Sequence, residues 1–115
     1  MAREYIPKSP YIRTEVWKRI TSVIRDYNAL RAEYKALIKD TVSDTETHLK
    51  ELERKISAVD KALNSFDSEV KELVRQRYWK GKTYRDILVP MSESTMKRYV
   101  RKFVVEVGRN LGEIK

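Results

Sequence analysis

Cysteine is absent from this 115-residue sequence, which removes disulfides and thiolate metal sites from consideration. Histidine occurs once, at His48, so the commonest zinc ligand sets cannot be assembled either. Glycine and proline number three each, and Gly81 stands alone, so there is no glycine-rich phosphate loop. No apolar run approaches the roughly 18 residues of a membrane span, and the opening Met-Ala-Arg-Glu-Tyr-Ile-Pro lacks the apolar stretch of a signal peptide. Strand-type alternation is missing as well. These absences lead to the expectation of a soluble, cytoplasmic, all-α protein without a cofactor. Its core should be modest, since 115 residues make one small domain or a compact module with an extension.

Charge is plentiful and unevenly placed. The formal net charge is +8, and from Lys71 to Lys102 ten basic residues stand against Glu72, Asp86 and Glu93, a local excess of +7. A solvated surface usually mixes its signs, so a one-sided excess points to a polyanionic partner.

Helical periodicity organises most of the chain. Ser9-Pro10 reads as an N-cap and first helical residue. Ile20, Val23, Tyr27, Leu30, Tyr34 and Leu37 follow at alternating spacings of 3 and 4, which predicts one long helix from about Pro10 to Lys39. The polar run Asp40-Thr41-Val42-Ser43-Asp44 predicts a turn, and Leu49, Leu52, Ile56, Val59 and Leu63 a second helix. Two long helices joined by a short loop should fold back as an antiparallel hairpin over residues 1–64, whose seams either pack within the chain or serve a homodimer.

Residues 65–115 read as a second unit. Asp67 or Ser65 can cap a third helix carrying Val70, Leu73, Val74 and Arg77-Tyr78-Trp79, closed by Lys80 and by Gly81 in a left-handed turn. Thr83, with Asp86 three residues on, resembles a capping box opening a short helix, Tyr84 to Leu88, that ends near Pro90. Ser92 caps a last helix from Glu93 to about Asn110. In it Met96, Val100, Phe103, Val107 and Leu111 recur on an inner face, while Glu93, Ser94, Lys97, Arg98 and Arg101 project outward.

That division is what a helix-turn-helix requires, namely a supporting helix, a turn, and a recognition helix with a polar outer face. Arginine and lysine read guanine in the major groove, serine contacts several bases, and a first-turn glutamate accepts from the cytosine amino group. Glu93, Ser94, Lys97, Arg98 and Arg101 are therefore the expected base-reading residues. Lys82, Thr83, Tyr84, Arg85, Ser92 and Lys102 are the expected phosphate contacts, because helix N-termini beside basic residues favour phosphate. No catalytic constellation emerges: His48 lies in a charged helical stretch, and Asp44 and Glu46 read as helix-start acids rather than a metal pair.

From about Leu63 to Gly112 the sequence resembles two related groups, sigma-factor region 4 and, more closely, phage transcriptional activators of the RinA and ArpU type. Arg77-Tyr78-Trp79-Lys80-Gly81-Lys82-Thr83-Tyr84 is similar to the latter's RYW-x-GKT-[WY] opening. Ser92-Glu93-Ser94-Thr95-Met96-Lys97-Arg98-Tyr99 is similar to the start of its recognition helix. The resemblance implies a phage or prophage regulator in the host cytoplasm, acting on promoter DNA and host RNA polymerase. One departure stands out. Ile87 and Ser92 are five residues apart where that pattern has seven, and Pro90 replaces its glycine region, which predicts a clipped supporting helix and a rebuilt turn. Two rival readings share the composition. A phage terminase small subunit would form a large ring assembly, and a helical protein-interaction module would use the seams and not bind DNA. RNA is disfavoured by the lack of an exposed aromatic platform.

Overall fold

The computed structural model describes residues 11–39 and 46–114, and among them there are helices and connections but no strand. Four α-helices follow in order: α1 (Thr14–Ile38), α2 (Glu46–Asn64), α3 (Ser68–Val74) and α4 (Glu93–Leu111). A π-helical segment, Arg75–Trp79, continues α3, and a single 3-10 turn, Tyr84–Asp86, precedes α4. None of these helices is long and apolar enough to cross a membrane.

Helix α1 begins at Thr14, four residues after the predicted start. Arg13 is its extended N-cap and makes no side-chain cap bond, and Tyr11 is 86% exposed with nothing to hold it in a further turn. Ser9 and Pro10, and the turn read at Asp40–Asp44, lie outside the described residues. Cross-links between α1 and α2 show that they run in opposite directions. Tyr27 donates to Asp60, Tyr34 to Glu53 at 2.8 Å, and Glu33 meets His48 at 2.6 Å, so the middle of α1 meets the end of α2 and the later part of α1 meets its beginning.

The apolar seams bury unevenly. Ile20, Ile24 and Tyr27 of α1 and Ala58, Val59 and Ala62 of α2 join Val70, Leu73 and Val74 of α3 in one cluster with the inner face of α4. Leu30, Tyr34, Leu37 and Leu49 are only half-buried, because the far ends of α1 and α2 extend past that cluster. This gives the molecule its 57 Å length against widths of 31 and 23 Å. The division placed at residues 64 and 65 falls on the link between α2 and α3, yet the segments on either side share a single core.

Helix α4 supplies the axis of that core. Met96, Val100, Phe103, Val107 and Leu111 are buried, as their spacing predicts, and Val104, Val105 and Gly108 are buried as well. Its C-terminal half is thus enclosed on more than one side, a consequence of α1, α2 and α3 all meeting it. A Cβ on Gly108 would come within 2.6 Å of Ile20 Cδ1, so the absence of a side chain is what lets α1 and α4 approach. The helix closes on Gly112 at φ 80°, with Glu113 N–H bonding Gly108 O at 2.9 Å in a Schellman-type turn. Arg54 donates to Leu111 O at 2.9 Å, Asn110 to Ala58 O at 3.0 Å, and Arg19 pairs with Glu113 at 2.9 Å. These bonds fasten the end of α4 to the two long helices.

Candidate nucleic-acid interface

The connection from α3 to α4 determines how the first turns of α4 are presented. Asp67 caps α3 by accepting from Val70 N at 3.1 Å. The π segment follows, closed by Lys80 N donating to Arg75 O at 3.0 Å. It carries Trp79 back onto α1, where the indole stacks on Tyr27 with centroids 5.2 Å apart and donates to Ile24 O at 2.8 Å. Gly81 then reverses the chain at φ 68°, as its position in the sequence predicts.

The supporting helix expected from Tyr84 to Leu88 is reduced to the 3-10 turn Tyr84–Asp86, after which the chain is extended at Ile87. The expected capping box is also incomplete. Thr83 takes the extended cap conformation, but its hydroxyl bonds the Asp86 carboxylate at 3.1 Å instead of a backbone N–H. With so few residues between Ile87 and Ser92 and a proline among them, there is no length for a second helical turn.

Gln76, almost fully buried, holds this rebuilt turn in place. Its Oε1 accepts from Leu88 N at 2.9 Å and from Lys82 Nζ at 3.3 Å. Its Nε2 donates to Glu72 Oε2 at 2.8 Å and to Leu88 O at 3.4 Å. Glu72 also receives Arg75 at 2.9 Å, and these two donors hold its carboxyl well below the usual carboxylate range, at about 2. Sequence reasoning missed Gln76. Its signal, a lone amide among the buried positions of α3 and its continuation, becomes meaningful only once the turn is seen to lie against it.

Ser92 caps α4 as expected, its hydroxyl accepting from Thr95 N at 3.2 Å. Beyond the cap the helix presents Glu93, Ser94, Lys97, Arg98, Arg101 and Lys102, all exposed. At 100° per residue these six spread over about half the circumference, with Ser94 and Arg101 near the middle and the buried residues opposite. Ten residues, 93 to 102, span about 15 Å at 1.5 Å each, against a major groove about 12 Å wide.

The predicted residues do not form one cluster. Toward the 3-10 turn, Lys97 pairs with Glu93 at 3.2 Å and its ammonium lies 5.7 Å from the Tyr84 ring. Arg77 covers that same ring at 4.3 Å, and Thr83, Arg85, Glu93 and Lys97 line a groove of about 580 Å³ around it. On the other flank Arg98 and Lys102 lie 5.6 and 5.2 Å from the Tyr99 ring. Arg101 leans toward α1, with its guanidinium 5.2 Å from the Trp17 ring. Lys82 is the member drawn away from this surface, since its ammonium turns inward to Gln76. Arg77, which the sequence placed in the third helix only, is instead part of the groove wall and also donates to Lys82 O at 3.2 Å.

Tyr78 follows Arg77 in the π segment. It is half-buried, and that burial, with Tyr84 next, pushes its phenol above the ordinary value, while Arg25 and Arg77 pull in the opposite direction. Arg25 lies 5.7 Å from that ring. Among the described residues no group of three or more His, Cys, Asp or Glu side chains gathers that could hold a metal ion.

Among protein-family models, one described as "Protein of unknown function (DUF722)" matches residues 25–109. No curated protein and no solved structure matches the chain significantly.

Proposed function

The chain belongs to the DUF722 family, whose function is unknown, and we propose that it is a sequence-specific duplex-DNA-binding regulator. The observation that carries this reading is the division of α4. Its C-terminal half is locked in the core, and its first ten residues bury only Met96 and Val100 there while presenting an exposed, mostly cationic half-face. A helix anchored in this way can enter the major groove without rearranging the protein, so little ordering is spent on binding.

In this reading α3 with its π continuation, the tethered turn and α4 form a helix-turn-helix in which one 3-10 turn replaces the supporting helix. Arg98, Ser94 and Arg101 face the base edges, and Lys97 opens its pair with Glu93 to reach guanine or phosphate. The free backbone N–H groups after Ser92, together with Thr83 and Arg85, meet the phosphates beside the groove. Tyr99 keeps Arg98 and Lys102 extended along the helix, since each lies against its ring. The antiparallel α1–α2 pair is the frame that holds α4, and its half-buried distal seam is available to a second copy. The resemblance to RinA and ArpU activators makes promoter DNA, in a phage or prophage setting with the host polymerase nearby, the context to test first.

Selection from a random duplex pool, followed by competition against DNA flanking the chain's own coding region, tests the reading. A recovered consensus that also occurs in the flanking DNA is expected. Enrichment no greater than that of a basic control protein would contradict sequence-specific recognition.

A further inference from the structure

We infer that α1 is part of the same DNA-binding surface, with Arg25 contacting the phosphate backbone beside the groove that α4 enters. This inference rests on the DNA-binding reading above.

Cations beside the groove come from three separate elements and are carried on aromatic rings. Arg25 of α1 lies 5.7 Å from Tyr78, Arg77 of the π segment 4.3 Å from Tyr84, and Lys97 of α4 5.7 Å from that same Tyr84 ring. Arg77 and Lys97 are therefore no more than about 10 Å apart across one ring, about the Debye length at 0.1 M salt, so their fields add rather than being screened separately. Tyr78 lies within electrostatic reach of Arg25, Arg77 and Tyr84 together, which ties the α1 cation to the groove. On α1, two turns before Arg25, Trp17 carries Arg101 of α4. The first half of α1 thus meets the outer face of α4 at Trp17 and, through Arg25, the π segment whose Arg77 lines the groove.

The charges around Arg25 favour an external anion. The carboxylates of the groove are already engaged, Glu93 with Lys97 and Asp86 with the Thr83 hydroxyl. Arg25 itself meets the Thr21 hydroxyl at 3.5 Å and the Tyr78 ring, and among the described residues it pairs with no carboxylate. A guanidinium held against a ring keeps its edge donors available and has little rotamer freedom left to lose when a phosphate arrives. Thr21, buried and bonded to Trp17 O at 3.0 Å, fixes the turn of α1 that places Arg25 there. The charge excess between Lys71 and Lys102 gave no hint of this residue, since Arg25 belongs to the surface only through the packing of the π segment on α1.

The test compares wild type, Arg25→Gln, Arg25→Lys and Lys50→Gln for binding to labelled duplexes over a series of salt concentrations. One lost phosphate contact should lower affinity about five- to tenfold at 0.1 M salt and reduce the log–log salt slope by about 1, equally for preferred and random DNA. Arg25→Lys keeps the charge and should keep the slope. Lys50→Gln removes the same charge from exposed α2 and should leave both quantities unchanged. Unfolding midpoints within a few degrees of wild type would show that Arg25→Gln has not acted through the fold. Wild-type binding that Arg25→Gln leaves intact overturns this inference alone. No binding by wild type at low salt overturns it together with the reading beneath it.

Discussion

Gln76 illustrates how much one side chain can determine. Its amide satisfies both the N–H and the C=O of Leu88 while bridging Glu72 and Lys82, so the turn before α4 is pinned by one buried group. In Gln76→Ala the Leu88 N–H loses its partner, and leaving such a donor unsatisfied costs about 1–3 kcal/mol. Chemical denaturation should record a loss in that range, and an unchanged midpoint would show that the turn is held by something else. Gly108 carries the opposite constraint, a side chain that must be missing. In Gly108→Ala the new Cβ meets Ile20 Cδ1 at 2.6 Å, so the buried Ile20 tip must shift. An overpacking cost of about 1–3 kcal/mol, offset by about 1 kcal/mol of helix propensity, should leave a net loss by the same measurement. Neither role was legible in the sequence. Gln76 reads there as one more polar residue in a basic helix, and Gly108 as a weak helix former, because both roles depend on contacts with distant segments.

At the scale of elements, the local signals were the readable ones. Asp67, Gly81 and Ser92 act as their positions predict, since a cap or a left-handed turn depends on its immediate neighbours. Ser92→Ala should therefore cost about 1 kcal/mol through the lost bond to Thr95 N, and fraying of the first turn should be visible as faster amide exchange there. Full protection of those amides in the variant would contradict this. The π segment was invisible to periodicity, because it arises where Trp79 must reach both Tyr27 and Ile24 O. The short helix after Thr83 was overextended for a related reason. Its capping pattern is present, yet the chain between Asp86 and Ser92 is committed to Gln76 and to Pro90. The exposed polar face itself followed from the period of α4, whereas the inward turn of Lys82 and the placement of Arg77 and Arg25 did not.

The whole set of described helices shares one core. The long α1–α2 pair is clamped to the end of α4, and the N-terminal half of α4, with its exposed polar face, leads away from that clamp. Tyr27 lies in the same core, stacked on Trp79 and donating to Asp60, and so joins α1 to both α2 and the π segment. Burial, with the Asp60 carboxylate next, pushes its phenol up to about 12. The fold thus retains this proton where the unfolded chain, near 10, releases it. Its stabilising contribution is complete below pH 10 and is lost as pH rises toward 12. Denaturation at pH 9 and pH 11 should show a steeper decline for wild type than for Tyr27→Phe, and parallel declines would remove Tyr27 from this role.

The central claim is that the outer face of α4 binds duplex DNA, and salt-dependent binding of wild type and Lys97→Ala/Arg98→Ala tests it most directly. Six or so neutralised phosphates predict a log–log slope of roughly −5 for wild type, with binding abolished in a double variant that unfolds at the wild-type midpoint. A flat salt dependence, or undiminished binding by the folded variant, would contradict the claim.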